Sequence, residues 1–188
     1  MYTTSSGQAL AFGSTVRVGY FNLSDSAVLS TLQTSNNFLE VNALFKPLAE
    51  GIADAGQVSQ AGNSSQTLFI NDIGSTGHIF GAITNAQDDY IPEDARLSVW
   101  VFNDSSPEKA TEWGIFSAAS GWEYPPSLGT ASVSTMAIQS ESEAIRGRYD
   151  SGTQQLQLAQ ISVVPEPSSL LLLTGTLALV TRRRRKES

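Results

Sequence analysis

An uncharged, mostly leucine stretch at 170–180 runs directly into five adjacent basic residues near the end of the 188-residue chain. No other feature limits the fold as strongly. A core helix is not followed at once by a block of like charge, so the residues from 165 onward are set apart from any globular core. The stretch comprises Leu170, Leu171, Leu172, Leu173, Gly175, Leu177, Leu179 and Val180, with Thr174, Thr176 and Ala178 between them. The basic block is Arg182, Arg183, Arg184, Arg185 and Lys186. As a helix, the uncharged residues 168–181 rise about 21 Å at ~1.5 Å per residue. A hydrocarbon core is roughly 30 Å thick, so the run is short for a span. Val163 and Val164 lengthen it upstream, apart from Glu166, and the arginines can snorkel outward at the other end. Gly175 is tolerated in a membrane helix, where small residues allow close packing. The positive-inside rule keeps 182–186 cytoplasmic and puts the rest of the chain across the membrane.

Upstream of the apolar run stand Pro165, Glu166 and Pro167. Each proline fixes its own φ near −65° and favours an extended residue before it, which suits a peptide that enters an enzyme cleft. A Pro-Glu-Pro tripeptide, a hydrophobic segment and a basic stop, in that order at the C-terminus, resemble the PEP-CTERM sorting signal. The resemblance implies an exported protein of a Gram-negative bacterium, often one that makes exopolysaccharide. It also implies that an exosortase-type sorting enzyme is the partner, acting on a precursor held in the inner membrane and passing the ectodomain toward the cell surface or the extracellular matrix. Such proteins begin with a secretion signal, and Met1-Tyr2-Thr3-Thr4-Ser5-Ser6 has neither a basic nor an apolar leader, so a missing upstream start is expected. The chain is thus read as a β-rich ectodomain over 1–160 and a sorting signal over 161–188.

Removing five basic and two acidic tail residues from 11 Lys+Arg and 18 Asp+Glu leaves 6 and 16, a net charge of −10 before residue 165. That surface disfavours nucleic acid and anionic lipid. No cysteine is present, so neither a disulfide nor a thiol nucleophile enters the argument.

The ectodomain reads as mainly β. Val16, Val18 and Tyr20 alternate with polar neighbours as in a strand. Apolar spacing predicts helical or irregular segments over 25–33 and 37–50, forming a short N-terminal helical patch that covers one edge, and 51–65 reads as a loop. Short apolar or alternating runs at 66–71, 78–84, 96–102, 112–117 and 154–164 predict strands, with another over 141–150 and a turn at Tyr149-Asp150-Ser151-Gly152. In 97–102, Leu97, Val99 and Val101 share one face while Trp100 and Phe102 share the other, which suggests a strand buried on both sides or one with an aromatic outer face. The sum is an antiparallel β-sandwich followed by a single C-terminal hydrophobic helix. The segments at 13–21, 97–103, 110–116 and 122–125 are similar to a recurrent ectodomain of PEP-CTERM proteins, which implies a β-rich fold and assigns no activity.

Few residues offer chemistry. His78 is the one histidine, and no Gly-x-Ser-x-Gly elbow occurs, so a triad hydrolase has no recognisable parts. Asp88, Asp89, Glu93 and Asp94 form the densest acidic cluster and are oxygen ligands of the kind Ca²⁺ takes, although their spacing matches no EF-hand. Glu141 and Glu143 are a carboxylate pair of the type glycoside hydrolysis requires, provided a cleft separates them correctly. Trp100 and Trp113 read as core residues. Trp122 and Tyr124, in a proline-rich loop setting, are the candidates for stacking on a sugar. The expectation is a non-enzymatic structural or binding component without a cofactor; the alternatives are a carbohydrate- or calcium-binding module and a secreted hydrolase.

Overall fold

The structure, a computed structural model, describes residues 2–11, 13–52, 58–60, 80–84, 91–126, 129–134 and 138–161. In chain order these form β1 (Tyr2–Thr3), β2 (Thr15–Tyr20), α1 (Ser26–Thr34), α2 (Phe38–Leu44), β3 (Lys46–Ile52), β4 (Val58–Gln60), β5 (Phe80–Thr84) and β6 (Leu97–Phe102). There follow β7 (Glu112–Phe116), β8 (Thr130–Ser134), β9 (Ala144–Arg146), β10 (Arg148–Asp150), β11 (Gln155–Gln157) and β12 (Ala159–Gln160). Among the described residues the fold is mainly β, with two short helices and several sheets whose pairings are antiparallel apart from β1 with β11.

The strand β6 organises the core because it is buried at all six positions. It lies between β2 and β7 in a sheet of order β12-β7-β6-β2-β3-β4, with β9 also on β7. Leu97, Val99 and Val101 join Val16, Val18, Leu48 and Phe116 on one face. There they meet Tyr2 of β1, Leu156 of β11, Trp122 and Tyr124. Trp100 and Phe102 point the other way, with Trp113 and Ile115 of β7, toward Leu32 of α1 and Val41 of α2. The strand is therefore buried on both sides. The helices cover a face of the sheet rather than an edge, because the bulky rings of β6 and β7 on that side need an apolar cover.

Both helices begin as their sequences require. Asp25 caps α1, its Oδ1 accepting from the Ala27 and Val28 amides at 2.9 and 3.4 Å, and Asn37 caps α2 in the same way onto Leu39 and Glu40. The expected helix over 37–50 is too long. It stops at Leu44, and 46–52 becomes β3, paired with β2. Pro47 cannot continue a helix, and Phe45 and Leu48 lie in the two separate apolar clusters on opposite faces of the sheet, which a helical i, i+3 pair could not do. The loop expected over 51–65 is strand at 51–52 and at 58–60, where β4 adds to β3.

Two expected strands each divide between sheets. Over 141–150 a 3-10 turn at Glu141–Glu143 precedes β9, which pairs with β7 of the central sheet, and β10, which pairs with β11 in the smaller β1-β11-β10 sheet. The switch falls at Gly147, with φ +105°. Likewise the run starting at 154 leaves the small sheet after β11 and enters the central sheet as β12, with Leu158 buried at the corner. The expected turn before β11 is present: Asp150 Oδ1 accepts from the Gly152 and Thr153 amides at 2.9 and 3.3 Å. Of the strand expected over 78–84, the part at 80–84 is β5, paired with β8; 66–71 lies outside the described residues.

Candidate functional site

The 122–124 segment does not form a contact loop. Leu97 donates to the Trp122 carbonyl at 2.7 Å, Tyr124 donates to the Ala95 carbonyl at 2.7 Å, and Asp94 donates to the Tyr124 carbonyl at 3.0 Å. The segment is zipped onto the residues at the start of β6, and its two rings are drawn under the sheet while Glu123 stays exposed. Trp122 is 1% exposed and Tyr124 0%, and both belong to the larger apolar cluster. This corrects the expectation of a stacking surface: a large ring beside an open apolar face gains more from burial than from standing in water.

Of the acidic cluster, Asp88 and Asp89 lie outside the described residues, as does His78. Glu93 and Asp94 are exposed, and Asp94 adopts φ +60°. Among the described residues no group of three His, Cys, Asp or Glu side chains is gathered as a metal would require. Asp94 instead lines a groove of about 390 Å³ with Tyr20, Asn22, Ser24 and Arg96. The Arg96 guanidinium in that wall is fixed by the carbonyls of Ser117 and of Ala118, the latter at 2.8 Å.

The carboxylate pair is arranged for structure. Glu143 is buried, and its oxygens accept from the Ala119 amide at 2.8 Å, the Gln139 amide at 2.7 Å, the Ser140 amide at 2.9 Å and the Ser140 hydroxyl at 3.0 Å. Burial pushes its pKa up, but these donors together outweigh burial and hold the carboxyl below its ordinary value. A carboxylate so fully engaged is poorly placed to give or take a proton. Glu141 accepts from the Tyr149 amide at 2.8 Å, which ties the 3-10 turn to β10.

Two arginines take roles that sequence patterning does not single out. Arg17 of β2 pairs with Glu50, donates to Asn42 Oδ1 at 2.8 Å and lies 5.7–5.9 Å from the ring centres of Phe38, Trp100 and Phe102. Arg146 of β9 stacks over Trp113 at 5.0 Å, donates to the Ser35 carbonyl and reaches Asn36 Oδ1 at 2.7 Å. Together they fasten the helical layer to the aromatic face, combining cation–π contact with hydrogen bonds to α2 from Arg17 and to the α1–α2 connection from Arg146. In the sequence Arg17 occupies a polar position of an alternating strand and Arg146 ends a three-residue one, so neither is marked out.

The last described strand lies at the edge of the central sheet. In β12, Ala159 faces Trp113 and Gln160 faces Glu112, and Ile161 then donates to the Thr111 carbonyl at 2.8 Å. Four residues further on stands Pro165. The motif at Pro165, Glu166 and Pro167, the segment 170–180 and the basic block 182–186 lie outside the described residues. Among those described, no helix is long and apolar enough to cross a membrane. The family model of the PEP-CTERM protein-sorting motif matches residues 163–186. No curated protein and no solved structure matches the chain.

Proposed function

We propose that this carrier of a PEP-CTERM sorting motif is a surface or matrix component, held in the inner membrane as a precursor and released from its tail by an exosortase-type enzyme. The match of the motif to 163–186 carries this reading. In it, Pro165, Glu166 and Pro167 are the recognition site, 170–180 hold the precursor, and 182–186 stop transfer. The ectodomain is a β-sandwich whose second layer is the small sheet, and its role is structural or binding rather than catalytic. What supports that role is where the carboxylates and tryptophans go: Glu143, Trp100, Trp113 and Trp122 all serve the interior.

The test maps the C-terminus of the protein by mass spectrometry in envelope and extracellular fractions. Loss of all residues after the Pro165–Pro167 region, prevented when all three are replaced by alanine, is the expected result. A tail intact through Ser188 in the inner membrane would reduce the signal to a simple anchor.

The groove beside Asp94 favours a second reading, a carbohydrate-binding module. An aromatic ring, an amide, a carboxylate and a hydroxyl around a cleft of that size suit one or two sugar units. Exopolysaccharide pull-down by the protein, lost in Asp94→Ala, distinguishes it from a purely structural role.

A further inference from the structure

We infer that β12 is a release strand, which must detach from β7 before the Pro-Glu-Pro motif can enter the cleft of a processing enzyme; the inference rests on the sorting reading above. The motif is tied very closely to the fold. Ile161 is fixed by its N–H bond to the Thr111 carbonyl, and only residues 162–164 separate it from Pro165. Four extended steps reach about 13–14 Å at most. That is little more than the ~10 Å occupied by one packed layer of secondary structure. The folded ectodomain has a radius of gyration of roughly 15 Å on the usual scaling, so it is broader than the gap. An enzyme that holds the motif between two walls of a cleft would collide with the sheet edge around Thr111 and Glu112.

The fold supplies slack at β12. The ladder of β12 is two residue pairs and the Ile161 bond. Gln160 is exposed, and Ala159 and Ile161 are only partly buried. Opening these three residues moves the fixed point back to Leu158 and lengthens the reach to about 23–25 Å, room for a second layer. Opening stops there. Leu158 is 3% exposed and donates to the Thr3 carbonyl at 2.9 Å, and Leu156 beside it is buried in the core. Ile161 packs on the rim of the aromatic cluster from a partly buried position, and a strand end of two residue pairs opens at lower free energy than the core does, so the domain can remain folded while its last strand is peeled.

The absence of cysteine makes the test clean. Ile161 bonds to the residue directly opposite it, so the preceding pair, Gln160 and Glu112, is a non-hydrogen-bonded pair with close Cα atoms, the geometry that accepts a disulfide. The full chain carrying Gln160→Cys and Glu112→Cys is followed in membranes containing the processing enzyme, beside each single variant. The oxidised double variant is expected to be cleaved at least tenfold more slowly than either single variant. Reductant restores the rate, and so does a six-residue Gly/Ser insertion after Ile161 in the locked protein. Cleavage of the locked protein at the single-variant rate, or failure of the insertion to rescue it, overturns the release strand while leaving the sorting reading intact. Cleavage that survives alanine at Pro165, Glu166 and Pro167 instead overturns the sorting reading itself, and the release strand with it.

Discussion

Glu143 joins two backbone segments far apart in the chain, at 119 and at 139–140, through one side chain. Its carboxylate gathers donors from Ala119, Gln139 and Ser140, and it closes a capping box with Ser140 over the 3-10 turn. Glu143→Gln keeps the shape but faces these donors with one acceptor oxygen instead of two. Loss of the charged hydrogen bonds should cost about 2–3 kcal/mol, read as a lower urea midpoint at pH 7. The pH dependence follows from the lowered pKa. The native carboxyl binds a proton less readily than the unfolded one, so its contribution is complete above the unfolded value of about 4.3 and fades as pH falls through the folded value. The gap between wild type and variant should therefore be widest at neutral pH and narrow at pH 3. In the sequence 141–150 reads as a strand and Glu143 as one of a carboxylate pair; that the residue would be buried in a cap was not legible, because the donors from Ala119 and Gln139 come from outside the local motif.

At the level of elements, the corners that pass the chain between sheets decide the architecture. β9 and β10 belong to different sheets although one residue separates them, and that residue is Gly147. A Cβ there would strike the Gln157 carbonyl oxygen and approach the Phe116 ring at 3.1 Å, while φ +105° is itself unfavourable for any other residue. Gly147→Ala should lower stability by at least about 2 kcal/mol, from backbone strain and displaced packing together, measured as a fall in Tm. An unchanged Tm would mean the corner tolerates a wider turn. A close approach also explains Gly19, which faces the helical layer: a Cβ would run into the Phe45 ring at 2.6 Å, beside the register shift between Val18 and Gly19.

Across the whole molecule, charge is divided between fold and tail. Of six basic residues before the motif, Arg17, Arg96, Arg146 and Arg148 donate hydrogen bonds within the fold, the last to Gln157 Oε1 at 2.6 Å. Lys46 and Lys109 are the other two, set against sixteen carboxylates. Attraction to anionic lipid then rests with 182–186, at about 1 kcal/mol per basic residue near the surface. Replacing those five residues by glutamine should remove the salt-sensitive part of binding to phosphatidylglycerol vesicles in a sedimentation assay. Salt-sensitive binding that persists would show that the folded part of the chain presents a basic surface after all.

The sequence by itself determined the features that need only neighbouring residues: the motif and its apolar and basic followers, the two-faced strand at 97–102 and the turn at Asp150. Periodicity and local hydrogen bonding act over a few positions, so they can be read from a string. Tertiary structure decided which face each element serves. Trp122 and Tyr124 became core because 122–124 zips onto the residues at the start of β6, and 46–52 became a strand because β2 offered it a ladder. The divided strands at 144–150 and 155–160 depend on two sheets meeting, and no local pattern records where a partner strand ends. Such outcomes are set by burial and pairing between residues far apart in the chain, where the free energy of a contact depends on what else has already packed.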